Sequence, residues 1–170
     1  MTTTTKFKGN EIKLNGTIPA LNSKAPDFTF VKTDLSESSF YQMKSKVKVI
    51  IALPSLDTGV CQMETRAFNQ KLAGLKDVEG IVISKDLPFA MKRFCETEGI
   101  ENITSASDFR GNFTDKYKTE MTEGALKGLS ARIVFVVDDK NDIKFIDIAP
   151  DITSEPDYES VLNSVKSLLV

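Results

Sequence analysis

Residues 47–75 read VKVIIALPSLDTGVCQMETRAFNQKLAGL, and a change of pattern inside this stretch decides the fold class. Val47 to Leu53 is apolar and β-branched apart from Lys48, as in a strand covered on both faces. From Gly59 the period becomes helical, with Val60, Met63, Ala67 and Phe68 expected on one face and Gly74 as the stop. The intervening run, Pro54 to Cys61 (PSLDTGVC), is a polar turn that sets a cysteine at the start of the helix.

The flanking segments extend this strand, loop, helix unit. Gly80 to Ser84 (GIVIS) reads as a second buried strand. It leads to a helix with Pro88 in its first turn, Asp86 or Ser84 as its cap, and Phe89, Met91, Phe94 and Cys95 along it. The polar stretch from Glu98 to Gly128 carries a weak strand near Ile103 and a short helix over Phe113 to Tyr117. Arg132 to Asp138 and Ile143 to Ala149 are expected to pair as a hairpin across Asp139 to Asp142. Pro156 to Leu169 places Tyr158, Val161, Leu162, Val165 and Leu169 on one stripe, with Ser154 or Glu155 as the cap. Upstream, Lys6 to Leu14 alternates around Gly9-Asn10, so a short N-terminal hairpin is expected, followed by a strand from Asp27 to Thr33. The sum is one α/β domain over residues 1–170, a mixed sheet with helices on both faces.

Composition narrows the chemistry. With 41% hydrophobic and 27% charged residues and a net charge of -2, the chain resembles an ordinary globular protein and offers no electrostatic footprint for nucleic acid. No basic amphipathic stretch or long apolar run points to a membrane. The threonine-rich start, Met1 to Lys8, lacks the apolar core of a secretory signal, so a cytoplasmic location is expected. There, two cysteines point to reactive or redox thiols more than to a static bridge. The absence of histidine excludes Ser-His-Asp and Cys-His catalysis and His-ligated zinc or haem. Neither a metal nor another cofactor is called for. The Asp138 to Asp142 turn is acidic but lacks the spaced ligands of a calcium loop.

Cys61 must therefore be activated by other means. Unpaired N–H groups and the dipole of a helix start favour a thiolate, and such positions lower a cysteine from its usual value to roughly 3.5–7.5. Thr58, three residues earlier, can set a hydroxyl beside the sulfur, and Pro54 shapes the turn and shields it. The plainer reading is a small buried thiol at a helix start. Cys95, 34 positions on, shares a stripe with Met91 and Phe94, so a core thiol and a reactive one are both open for it. Arg132, at the head of an apolar strand, is a candidate to hold the thiolate, and Arg66, Arg93 and Arg110 are rivals that spacing does not separate.

The run PSLDTGVC closely resembles the signature of the thiol peroxidase branch of the peroxiredoxins, in which Pro54, Thr58 and Cys61 stand at the required spacing. Further matches run the length of the chain: FKGN near the start, SKAPDFT at 23–29, DLPFA and RFC within 86–95, LKGLSAR at 126–132 and TSEPDYE at 153–159. The resemblance implies a thioredoxin-like fold with an added N-terminal hairpin over residues 1–20. It further implies Cys61 as the peroxidatic thiol, Cys95 as the resolving thiol of the same chain and Arg132 as the active-site arginine. The expected activity is reduction of hydrogen peroxide and alkyl hydroperoxides through a Cys61–Cys95 disulfide, recycled by thioredoxin, in a homodimer. A bridge between the two thiols requires their α-carbons to come within about 7 Å. Rival readings are a thioredoxin-type disulfide oxidoreductase, disfavoured by the lack of a C-x-x-C pair, and a non-catalytic redox-sensing module.

Overall fold

A computed structural model of the chain describes residues 1–170. Its centre is β5 (Val47–Ala52), buried along its whole length, flanked by β6 (Val78–Ser84) in parallel and β8 (Ile133–Val137) in antiparallel pairing. Outward on one side lie β7 (Ile103–Ser107), β3 (Thr29–Val31) and β4 (Glu37–Ser39); on the other lies β9 (Ile143–Ile148). The seven-stranded order is β4-β3-β7-β6-β5-β8-β9. Side chains alternate across the sheet, so β5 sends Ile50 and Ala52 into one core and Val49 and Ile51 into the other.

The second core is covered by α1 (Gly59–Leu72), α2 (Pro88–Glu98) and α4 (Tyr158–Leu169), through Phe68 and Leu72, Met91 and Phe94, and Val161 and Val165. The first core is closed by α3 (Phe113–Tyr117) and by the hairpin β1 (Thr4–Phe7) and β2 (Asn10–Lys13). Phe28, Phe40, Phe113 and Tyr117 stack or meet edge-on there, with centroids 4.5–5.5 Å apart. Helices thus cover both faces, three on one and one on the other. No helix is long and apolar enough to cross a membrane.

Several local expectations need correction. The hairpin turns at Lys8-Gly9, not Gly9-Asn10, because Asn10 already pairs with Phe7. Both turn residues have positive φ, 51° and 83°, and the Asp151 carboxylate accepts their two N–H groups. The buried face of α1 is Cys61, Glu64, Thr65, Phe68 and Leu72, whereas Met63 is exposed. Phe89 is exposed on α2. Neither Asp86 nor Ser84 caps α2, whose N-cap is Leu87 with Pro88 following. α4 is capped by Asp157, which accepts from Ser160 N–H, not by Ser154 or Glu155.

Candidate active site

The C-terminal end of β5 delivers the chain into the loop 53–58, and α1 begins at Gly59. The first helical bond runs from Gln62 N–H to Thr58 O, so the N–H groups of Gly59, Val60 and Cys61 find no acceptor within the chain. Cys61 lies on the inner face of this open first turn and has no exposed surface.

Arg132 enters from across β5. The residue is 2% exposed, and its Nη1 donates to Cys61 Sγ at 3.2 Å and to Glu64 Oε2 at 2.6 Å. Nε and Nη2 both donate to Ile152 O, at 3.1 and 2.8 Å, which fixes the plane of the fork. Ile152 is held in turn by its N–H bond to Lys6 O, so the N-terminal hairpin supports the arginine's anchor. Of the rival arginines, Arg66 pairs with Glu98, Arg110 with Glu37, and Arg93 faces solvent.

Nothing in the local sequence marks Glu64, which lies on the buried face of α1 beside Cys61. Burial pushes its carboxyl up to about 7, the charge and hydrogen bond of Arg132 offsetting only part of that cost, because Oε1 has no donor at all. For Arg132, burial works against the charge, but Glu64 and Cys61 outweigh it and hold the guanidinium charged above its usual range. One cation therefore serves two groups that can each be anionic, spaced i and i+3 on α1. A residue triplet of Cys, Glu and Thr at 61, 64 and 65 has perfect helical spacing; an apolar search passes over it.

A cleft of about 170 Å³ leads to this guanidinium, with Phe7, Val60, Leu126 and Ile152 as apolar walls, the buried Pro54 and Arg132 at its base and the exposed Thr58 at its mouth. Larger grooves, about 510 Å³ beside the hairpin turn and about 600 Å³ beside α4, reach neither Arg132 nor the loop before α1, so chemistry and not size selects the site. Thr58 is exposed, and its hydroxyl donates to Ser55 O at 3.2 Å. With its proton on Ser55 O, its lone pairs are open to the cleft.

The redoxin family model matches residues 20–162. A thiol peroxidase of Leptospira interrogans is 48% identical over 96% of this chain and 97% of its own, and one of Aquifex aeolicus is 45% identical over 99% and 100%. The chain belongs to the redoxin family, among its thiol peroxidases. A crystal structure of a peroxiredoxin-like protein from Aquifex aeolicus superposes with a TM-score of 0.93 at 45% identity, covering 97% of this chain and 96% of that one. The fold is accordingly the thioredoxin-like fold of peroxiredoxins, with the antiparallel N-terminal strand pair added.

Within that family frame, the second thiol sits apart from the first. Cys95 is half-buried on α2 and shares a 3.0 Å hydrogen bond with Ser105 Oγ of β7. Burial pushes its thiol up, and the Ser105 bond works against that shift. Both cysteines are free. The strands bearing their partners, β7 and β8, are separated by β6 and β5, so they stand about 14 Å apart at the usual spacing between strands. The two sulfurs thus hang from different helices with separate partners, and no bond joins them in this arrangement.

Proposed function

We propose that Cys61 reduces hydroperoxides as the peroxidatic thiol and that Cys95 resolves it within the same chain. The observation carrying this is the Arg132 guanidinium aimed at Cys61 Sγ from 3.2 Å, at a helix start with three unpaired N–H groups. A thiolate there attacks the terminal peroxide oxygen: an S–O bond forms, the O–O bond breaks, sulfur is oxidised by two electrons and the leaving oxygen departs as alcohol or water. Thr58 accepts from the incoming peroxide, and Arg132 and the free N–H groups stabilise the charge growing on the leaving oxygen, an effect confined to the transition state. Cys61 has no exposed surface, so side chains at the base of the cleft must part before peroxide reaches sulfur. Pro54, buried at that base, keeps bulk water from the thiolate.

The sulfenic acid then condenses with Cys95, releasing water, and an external dithiol of the thioredoxin type reduces the bridge. The apolar walls suit alkyl hydroperoxides as well as hydrogen peroxide. We further read the chain as one domain over residues 1–170, its first 20 residues an integral extension, working as a homodimer in the cytoplasm. Rapid-quench mass spectrometry tests the core of this: Cys61→Ser must abolish peroxide consumption. Cys95→Ser must stall after one turnover with thioredoxin yet continue with small thiols. Full turnover by Cys61→Ser overturns the assignment.

A further inference from the structure

Asp86 stands two residues before α2, the helix of Cys95, yet its side chain grips the loop of Cys61. One carboxylate oxygen accepts from Ser55 Oγ at 2.7 Å. The other accepts from Leu56 N–H and from Ser84 Oγ, each at 2.7 Å. Ser55 passes the restraint on: its carbonyl accepts both the N–H and the hydroxyl of Thr58, and its own hydroxyl accepts from Asp57 N–H. Behind the carboxylate the backbone is pinned, because Asp86 O accepts from Ser107 Oγ of β7 and Asp86 N–H donates to Ser84 Oγ. A rigid corner between β6 and β7 thus holds the loop before α1 through one side chain. Thr58, at the mouth of the cleft, is the last link.

We infer that Asp86 is a positioning residue, a latch that holds the Cys61 loop closed and so sets the fate of the oxidised thiol. This rests on the reading that Cys61 becomes a sulfenic acid resolved by Cys95. Two reactions then compete. In resolution, Cys95 sulfur bonds to Cys61 sulfur, the S–O bond breaks, and the hydroxyl leaves as water with the thiol's proton. In over-oxidation, a second hydroperoxide delivers an oxygen to the sulfenic sulfur: a second S–O bond forms, the O–O bond breaks, and alcohol or water leaves behind a sulfinic acid. Resolution needs the loop or α2 to give way so that the two sulfurs meet; over-oxidation needs only the side-chain parting that admitted the first peroxide, with the contacts of Asp86 intact. The bonds from Ser55 and Leu56 to Asp86 bridge the two segments, and each bond of this charge-assisted kind shifts an equilibrium by roughly ten- to a hundredfold. The latch therefore biases the sulfenic acid against resolution.

The test treats reduced protein with hydrogen peroxide, without reductant, and reads the ratio of disulfide to sulfinic acid at Cys61 by mass spectrometry. In Asp86→Asn the amide oxygen can still accept from one loop donor, but its NH₂ group cannot accept from the other. The ratio is expected to rise about tenfold. Ser55→Ala leaves Asp86 in place and is expected to raise it about tenfold, the low end for one charge-assisted bond. The double variant should add little to Asp86→Asn, since both act on one contact, and Asp86→Glu should restore part of the wild-type ratio. Should Asp86→Asn fail to fold, Ser55→Ala carries the measurement. A merely structural role predicts lower melting temperatures with ratios within about twofold of wild type, and that result overturns the latch alone. A wild-type Cys61 that yields no oxidised species overturns the latch and the peroxidatic assignment together.

Discussion

Replacing Glu64 by glutamine sets two effects against each other. Treated as half of a simple ion pair with Arg132, Glu64 should be stabilising, and its loss should cost most at high pH, where the carboxylate is ionised. The geometry argues the reverse. Oε2 has one donor at 2.6 Å, Oε1 has none, and the side chain has no exposed surface, so burial outweighs the attraction and moves the carboxyl from 4.5 to about 7. A folded-state value above the unfolded one means stability that is complete below pH 4.5 and is lost as pH rises through 7. The difference corresponds to about 3 kcal/mol. Urea unfolding across pH 4.5–8.5 measures it, in a Cys61→Ser, Cys95→Ser background that removes thiol titration and oxidation. The parent should lose about 3 kcal/mol more over the range than the Glu64→Gln version, so the variant ends as the more stable protein at pH 8. Asp147, raised by burial, and Asp142, lowered by its bond to Lys24, are common to both proteins and cancel. Equal pH slopes, or a variant whose deficit grows with pH, would refute the reasoning.

Arg132→Lys keeps a charge but cannot donate at once to Cys61, Glu64 and Ile152, so Cys61 oxidation should slow by roughly 10²–10³ in rapid-quench kinetics; a wild-type rate would exclude the guanidinium from the step. Gly80→Ala sets a Cβ 2.7 Å from Ile103 Cγ2 and 2.8 Å from Leu72 Cδ1, where α1 and β7 meet over β6. It should lower unfolding free energy by about 1–3 kcal/mol, measured with denaturant. Ser105→Ala removes the contact that opposes the upward shift of Cys95, so iodoacetamide should label Cys95 roughly three- to tenfold more slowly at pH 8 in a Cys61→Ser background. Faster labelling would mean that the hydroxyl restrains the sulfur instead.

How legible each element was depends on how far away its causes lie. β5 and β6 could be read directly, because strands buried on both faces need apolar residues throughout. The short helix at Phe113–Tyr117 and the run from Pro54 to Cys61 were likewise local statements of turn and period. The face of α1 departs from the apolar stripe because its buried row includes Glu64 and Thr65. A carboxylate can occupy that row only since Arg132, 68 positions later, arrives opposite it. The hairpin turn moved for a similar reason: Lys8 adopts positive φ where a carboxylate from position 151 gathers both turn N–H groups.

Local chemistry, then, already specified a strand that hands a cysteine to a helix start, along with the threonine and proline around it, because adjacent residues suffice for that. Which of four arginines faces the sulfur, why a glutamate is buried beside it, and how Asp86 reaches the loop of Cys61 were decided only when β8 and β6 came to lie on either side of β5. Those contacts join residues 30 to 71 positions apart, and their strength depends on burial and distance, which do not exist until the sheet has closed.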